Sequence, residues 1–244
     1  MPKPVLVLDF DGVVCDALEE CALVTWLGVH PPDPGSAVSG YLTALPRGFA
    51  DRFQKVRDYS RLLDHFLVAH RPAAANITTQ ADFDRIFGVI PATYVADFVR
   101  EASAARHRCR TEELPFWLDL HTLYPGIPEL LRRHAGAVAV ITAKDETSVW
   151  TILDRHGLAG TVAQVYGETR DKAAAVRDLC ARHATTPADL TFIDDNLTNV
   201  QRVAGTGART RWAMWGYHTP DDLSAAGRAD VRRLELADVP ALSA

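Results

Sequence analysis

The chain has 244 residues, 48% of them hydrophobic, which is enough to bury a full core and to carry one large domain with a smaller companion. A formal net charge of -5 is too mild to mark a nucleic-acid-binding face or a basic membrane patch. No apolar run reaches the length of a membrane span, so neither nucleic acid nor membrane is expected as a partner.

Met1-Pro2-Lys3-Pro4 leads directly into Val5-Leu6-Val7-Leu8, a run too short for the apolar core of a signal peptide. The expectation is a soluble, cytoplasmic protein. Val5 to Leu8 reads as the first strand, and it ends in Asp9-Phe10-Asp11-Gly12-Val13-Val14. The next hundred residues lack strand-like runs. Prolines at Pro31, Pro32, Pro34, Pro72 and Pro91 divide helical patterns. Phe49, Phe53, Val56, Leu63 and Leu67 make one apolar stripe, and Tyr94, Val95, Phe98, Val99 and Ala102 make another. A structureless loop of this length is implausible. Residues 15–121 are therefore expected to form a helical insert, with residues 1–14 and 122–244 as the main domain. Arg47, in a turn before a helix, is a candidate contact for an anionic substrate.

Tyr124-Pro125-Gly126-Ile127-Pro128 marks the return, as a turn followed by a helix through Leu130 and Leu131. Three more short apolar runs follow: Val138 to Ile141, Thr161 to Tyr166, and Leu190 to Ile193. A fifth, Thr210 to Trp215, is expected as another strand. Helical spacing separates them, through Val149, Ile152 and Leu153, then Val176, Leu179 and Cys180, then Leu197, Val200 and Ala204. Alternating strand and helix predict an α/β fold with a doubly wound parallel sheet and right-handed crossovers. Ligands of such sheets sit beyond the carboxyl ends of the strands.

Those ends carry the polar residues. Asp9 and Asp11 follow the first run, Thr142-Ala143-Lys144 the second, Asp171-Lys172 the third, and Asp194-Asp195-Asn196 the fourth. Lys144 and Lys172 stand out because Lys3 and Lys55 are the only other lysines. Clustered carboxylates stay ionised only beside cations. Hard oxygen ligands suit Mg²⁺, and a carboxylate can accept a phosphoryl group. Positioning and charge stabilisation then complete the chemistry. Each residue also has a plainer reading. Thr142 could cap a helix, Asp194 or Asp195 could cap the helix of Val200, and Lys172 could be a solvated residue at a helix start. Cys15, Cys21, Cys109 and Cys180 form no CxxC pair and read as reduced, mostly buried thiols. Arg106-His107-Arg108-Cys109-Arg110 is a poor metal site, because three arginines repel a cation.

Asp9-Phe10-Asp11-Gly12-Val13 resembles the first motif of the haloacid dehalogenase superfamily. Thr142 is similar to its second motif, Lys172 to its third and Asp194-Asp195 to its fourth, in the same order and at the same strand ends. The resemblance implies a Rossmannoid core with a helical cap of the family's first type after the first strand. It makes Asp9 the nucleophile and a metal ligand. Asp11 becomes the general acid and base, with its backbone carbonyl on the metal. Thr142 and Lys172 hold phosphoryl oxygens, and Asp194 and Asp195 complete the Mg²⁺ site; Ala143 and Lys144, next to Thr142, are read as further substrate-binding residues, with Lys144 a second phosphate contact behind Lys172. Asn199 stands where many members carry an acid, which leaves open which of the two aspartates ligates directly. The tail from Met214 to Tyr217 resembles those of phosphatases in the superfamily.

The activity implied is a Mg²⁺-dependent phosphatase acting on a small phosphorylated metabolite. A phosphosugar mutase using the same aspartyl-phosphate is the alternative. A dehalogenase is disfavoured by Asp11 and Asp194-Asp195. A receiver-like signalling module is disfavoured by chain order, since its acidic pair comes early. Oligomeric state, monomer or homodimer, is left open.

Overall fold

The computed structural model describes residues 5–33, 35–227 and 231–242. Lys3 and Pro34, which figure in the sequence expectations, lie outside the described residues. The chain divides into two compact units. One holds the chain up to Asp16, Thr122–His218 and the segment from Asp222; the other holds Ala17–His121 and Thr219–Asp221.

The first unit is built on β1 (Leu6–Leu8), which leads to a short strand β2 (Cys15–Asp16). The helical unit then follows as α1 (Leu18–Leu27), α2 (Ser39–Thr43), α3 (Arg47–Tyr59), α4 (Gln80–Gly88), α5 (Ala92–Glu112) and α6 (Leu114–Asp119). The chain returns through β3 (Thr122–Leu123) and α7 (Ile127–Arg133). It continues as β4 (Val138–Ile141), α8 (Glu146–Arg155), β5 (Val162–Tyr166), α9 (Lys172–His183), β6 (Thr191–Asp194) and α10 (Leu197–Ala204). β7 (Arg209–Ala213), α11 (Pro220–Ala226) and β8 (Arg233–Leu234) follow.

Six strands form one sheet in the order β5-β4-β1-β6-β7-β8, with every pairing parallel. The fold is the expected doubly wound α/β type. Every residue of β1, β4 and β6 is buried, as strands covered on both faces require. Val7, Ala139, Ile141 and Phe192 pack against Val176, Leu179 and Val203 in one core cluster. Leu197, Val200 and Trp212 form another. Because β1 lies between β4 and β6, their carboxyl ends bring Asp9, Thr142 and Asp194 to one edge.

Several local expectations are corrected. The stretch after the first strand does contain strand: β2 and β3 pair antiparallel, Cys15 with Leu123 and Asp16 with Thr122. Two residues each are too few to show an alternating pattern, and β8 is missed for the same reason. The first stripe is not one helix. α3 stops at Tyr59, Ser60 is extended, and Leu63–His70 forms a 3₁₀ segment that carries Leu63 and Leu67. Tyr94 is exposed, whereas Phe98 and Ala102 of the same stripe are buried. Arg47 is the first residue of α3 rather than part of a turn, and it is exposed.

The helical unit has its own core of Phe49, Phe53, Val56, Phe66, Phe83 and Phe98. Inside it, the Arg106 guanidinium grips the buried Glu20 carboxylate from two nitrogens, at 2.6 and 3.2 Å. Burial, then the nearby Glu20 and Glu113 charges, push the Cys109 thiol up to about 12, so it stays protonated. All four cysteines are buried. No helix among the described residues is long and apolar enough to cross a membrane.

Candidate active site

At the end of β1 the Asp9 amide still donates to the Ile193 carbonyl at 2.9 Å, so Asp9 is held in register with β6. The chain then turns sharply. The amides of Val13, Val14 and Cys15 all donate to the Phe10 carbonyl, and Gly12 donates to Cys15. Gly12 adopts φ +88, and a Cβ there would collide with the Asp195 carboxylate. Glycine is therefore required twice over, by backbone conformation and by the approach of the fourth-motif acid.

Lys172, the first residue of α9, is buried and bridges two carboxylates. Its Nζ lies 2.6 Å from Asp9 Oδ2 and 2.8 Å from Asp194 Oδ2. Burial opposes its charge, but Asp194 and Asp9 outweigh burial and raise its pKa. Burial also acts on Asp9 and raises its carboxyl from 3.8 to about 6. Lys172 pulls that value down, while Asp194 pushes it up. Asp171 caps α9 by accepting from the Ala174 amide at 3.0 Å. The helix start is thus fixed one residue before the lysine it presents.

Lys144 is also buried. Its Nζ lies 3.2 Å from Asp11 Oδ2, so it pairs with the second aspartate of the first motif. Asp11 Oδ1 is buried with no hydrogen-bond partner among the described residues. Thr142 is buried at the end of β4, and its Oγ1 accepts from the Lys144 amide at 3.2 Å. It does not cap α8; Asp145 does, accepting from the Ser148 amide at 2.9 Å.

Asp194 is fully buried and already surrounded by donors. Oδ1 accepts from the Asn196 amide at 2.7 Å, and Oδ2 accepts from Lys172 and from Asn199 Nδ2 at 3.2 Å. The residue standing in the family's acidic position thus orients Asp194. Neither aspartate caps α10. Asn196 does so, accepting from the amides of Thr198 and Asn199. Asp195 Oδ2 accepts from the Tyr217 amide at 2.7 Å, and its carbonyl accepts from Trp212 Nε1, also at 2.7 Å.

Asp9, Asp194 and Asp195 each offer an oxygen, and these atoms lie within 4.8 Å of one another. With Asp11 they make four carboxylates against two lysines, Lys144 and Lys172, a surplus of two negative charges in this cluster of described residues. The all-oxygen donor set and this surplus fit a hard divalent cation.

The structure brings together Asp9, Asp11, Lys144, Lys172, Asp194 and Asp195, with Thr142 bonded to Lys144. Ala143 is exposed beside them, and Arg47 belongs to the other unit. Sequence reasoning missed the parts played by Gly12, Asn199 and the tail. The tail was visible as a motif, but no local pattern shows that Tyr217 meets Asp195.

The family profile of the haloacid dehalogenase-like hydrolases matches residues 4–202. The chain belongs to that family. A search of the curated proteins finds no match to it. Among solved structures, a predicted phosphoglycolate phosphatase from Haemophilus somnus 129pt aligns at a TM-score of 0.65 and 16% identity, over 97% of this chain and 96% of that one. A predicted phosphatase from Clostridium acetobutylicum aligns at 0.63 and 14%, over 99% and 98%. A haloacid dehalogenase-like family protein from Streptococcus pneumoniae aligns at 0.60 and 14%, over 98% and 97%. At these identities the likeness is one of fold.

Proposed function

We propose that this hydrolase is a Mg²⁺-dependent phosphatase that takes the phosphoryl group of a small phosphorylated metabolite onto Asp9. The observation that carries this reading is Asp11. One of its oxygens is held by Lys144, and the other is buried without a partner. A dehalogenase has no use for a second carboxyl there, whereas phosphoryl transfer needs a proton donor for the leaving oxygen.

Asp9 attacks phosphorus, and its oxygen–phosphorus bond forms as the ester oxygen leaves. Lys144 holds Asp11 Oδ2, which leaves Oδ1 as the atom that delivers a proton to that oxygen. Water then attacks the phosphoryl group, Asp11 takes the water's proton, and the bond to Asp9 breaks to release phosphate. Lys172 holds Asp9 in place and offsets negative charge throughout. Asp9 and Asp195 would hold Mg²⁺, which supplies electrostatic stabilisation of the phosphoryl oxygens when bound. Asp194, already engaged by three nitrogen donors, orients Lys172 rather than adding a direct ligand. Thr142, with the neighbouring Ala143 backbone, would bind a phosphoryl oxygen.

Residues 15–121 are proposed as the family's helical cap of the first type, which carries specificity and excludes bulk water. Arg47 is one candidate contact for an anionic substrate group. Phosphoglycolate is a sensible first substrate, because one structural relative is described as a predicted phosphoglycolate phosphatase. The test is phosphate release from a panel of phosphometabolites with and without Mg²⁺. Asp9→Asn should abolish release, by at least about 10³-fold, because it removes the nucleophile. Isomerised product without net phosphate would favour a mutase. No turnover of any phosphate ester would overturn the proposal.

A further inference from the structure

The loop after β7 touches both halves of the acidic site. Trp215 Nε1 donates to the Val13 carbonyl at 3.2 Å, within the turn that follows Asp9 and Asp11. Tyr217 makes two side-by-side commitments, one through its backbone and one through its side chain. Its amide donates to Asp195 Oδ2 at 2.7 Å, and its hydroxyl donates to Asp16 Oδ1 at 3.0 Å. Asp16 lies on β2, at the end of the segment that begins with Asp9. Gly216, between the two aromatic residues, packs against the Gly12 carbonyl and the Asp195 side chain so closely that a Cβ would strike both.

We propose that Tyr217 is a positioning residue of this site. One residue holds a metal-binding carboxylate by its backbone and the far end of the nucleophile turn by its side chain. Asp16 lies on β2, beyond the turn that follows β1, and Asp195 just follows β6; the register between β1 and β6 ends at Leu8 and Ile193. The Asp9 amide's bond to the Ile193 carbonyl is the last backbone tie between β1 and β6, and the turn from Phe10 to Asp16 runs on past it. Tyr217 spans the gap. Its hydroxyl is the part that can be removed without touching the amide that Asp195 uses. The loss should therefore appear as a displaced carboxylate rather than as a lost ligand. The inference rests on the proposed function only for what the site does; the contacts themselves concern cation binding as much as turnover.

The test is a Mg²⁺ titration of the full-length, metal-free chain, followed by tryptophan fluorescence, since Trp212 and Trp215 border Asp195 and Val13. Phosphate release from the best ester of the panel is measured in parallel. Tyr217→Phe should weaken Mg²⁺ binding several-fold and lower kcat about tenfold, the range seen when partners of metal ligands are removed, with KM little changed. In an Asp16→Ala background the same substitution should add nothing, because its partner is already gone. Asp16→Asn keeps an acceptor oxygen and should recover most of what Asp16→Ala loses. A Tyr217→Phe protein that binds Mg²⁺ as tightly as wild type overturns the proposal. So do losses that multiply in the double variant. A wild type that binds Mg²⁺ and releases no phosphate would count against the phosphatase reading alone, and the affinity cycle would still decide the part played by Tyr217.

Discussion

Burial raises the Asp9 carboxyl to about 6 even though Lys172 sits 2.6 Å away, because desolvation and Asp194 together outweigh the ammonium. In the unfolded chain the same group titrates near 3.8. A raised value means that the folded, metal-free protein binds the proton more tightly. The stability this confers is full below about pH 4 and is lost as pH rises through 6. Two pH units correspond to roughly 3 kcal/mol. Asp9→Asn keeps an oxygen for Lys172 and removes the buried charge. Without Mg²⁺, the variant should therefore be more stable than wild type at pH 8, by about 1–3 kcal/mol, and should lose that advantage by pH 4. Urea unfolding at both pH values measures it, and a variant less stable than wild type at pH 8 would contradict it. Asp9, Thr142 and the Asp194-Asp195 pair were legible because they stand at the ends of fully buried strands, where a polar or ionised side chain needs a reason, and Lys172 because it opens the helix after β5. The Lys144–Asp11 pair was not, since it joins positions 133 apart by side-chain direction alone.

The helices that present these residues start where polar side chains cap them. Asp145, Asp171 and Asn196 fix α8, α9 and α10, each next to a site residue. Asn196 satisfies two amides with its side chain, while its own amide serves Asp194. Asn196→Ala should retain the bond to Asp194 and lose the cap. The expected loss is about 1 kcal/mol, or roughly 2–4 °C in Tm for a chain of this size. A thermal melt with unchanged Tm would show that Asn196 is not an effective cap. Sequence periodicity found these helices, since their apolar faces repeat in register with the sheet they cover. It ran α3 into the following 3₁₀ segment, because no glycine or proline marks Ser60. There the backbone turns extended, while the Ser60 hydroxyl donates back to the Val56 carbonyl at 2.8 Å. Apolar spacing survives such a break, so the stripe outlasts the helix.

Across the whole molecule, the parallel sheet concentrates like charge at one edge, and the surplus of two negative charges is the cost of assembling the site. A cation that binds only the folded state should relieve it and stabilise the chain by mass action, about 2.7 kcal/mol at a concentration 100 times its dissociation constant. For a chain of this size that is roughly 5–11 °C in Tm. The effect should depend on pH in a stated direction. At pH 5 the Asp9 carboxyl, with its pKa near 6, is mostly protonated, and Mg²⁺ must displace that proton. At pH 8 it is ionised and no such competition exists. Melting curves in MgCl₂, matched in ionic strength with NaCl, should therefore show a larger Mg²⁺ shift at pH 8 than at pH 5. Asp195→Asn should remove most of the shift at both pH values. Because the chain forms two compact units, a melt that resolves two transitions should show Mg²⁺ moving only the one belonging to the α/β unit. A shift reproduced by NaCl alone, or one that survives Asp195→Asn, would mean that the acidic cluster does not hold the cation.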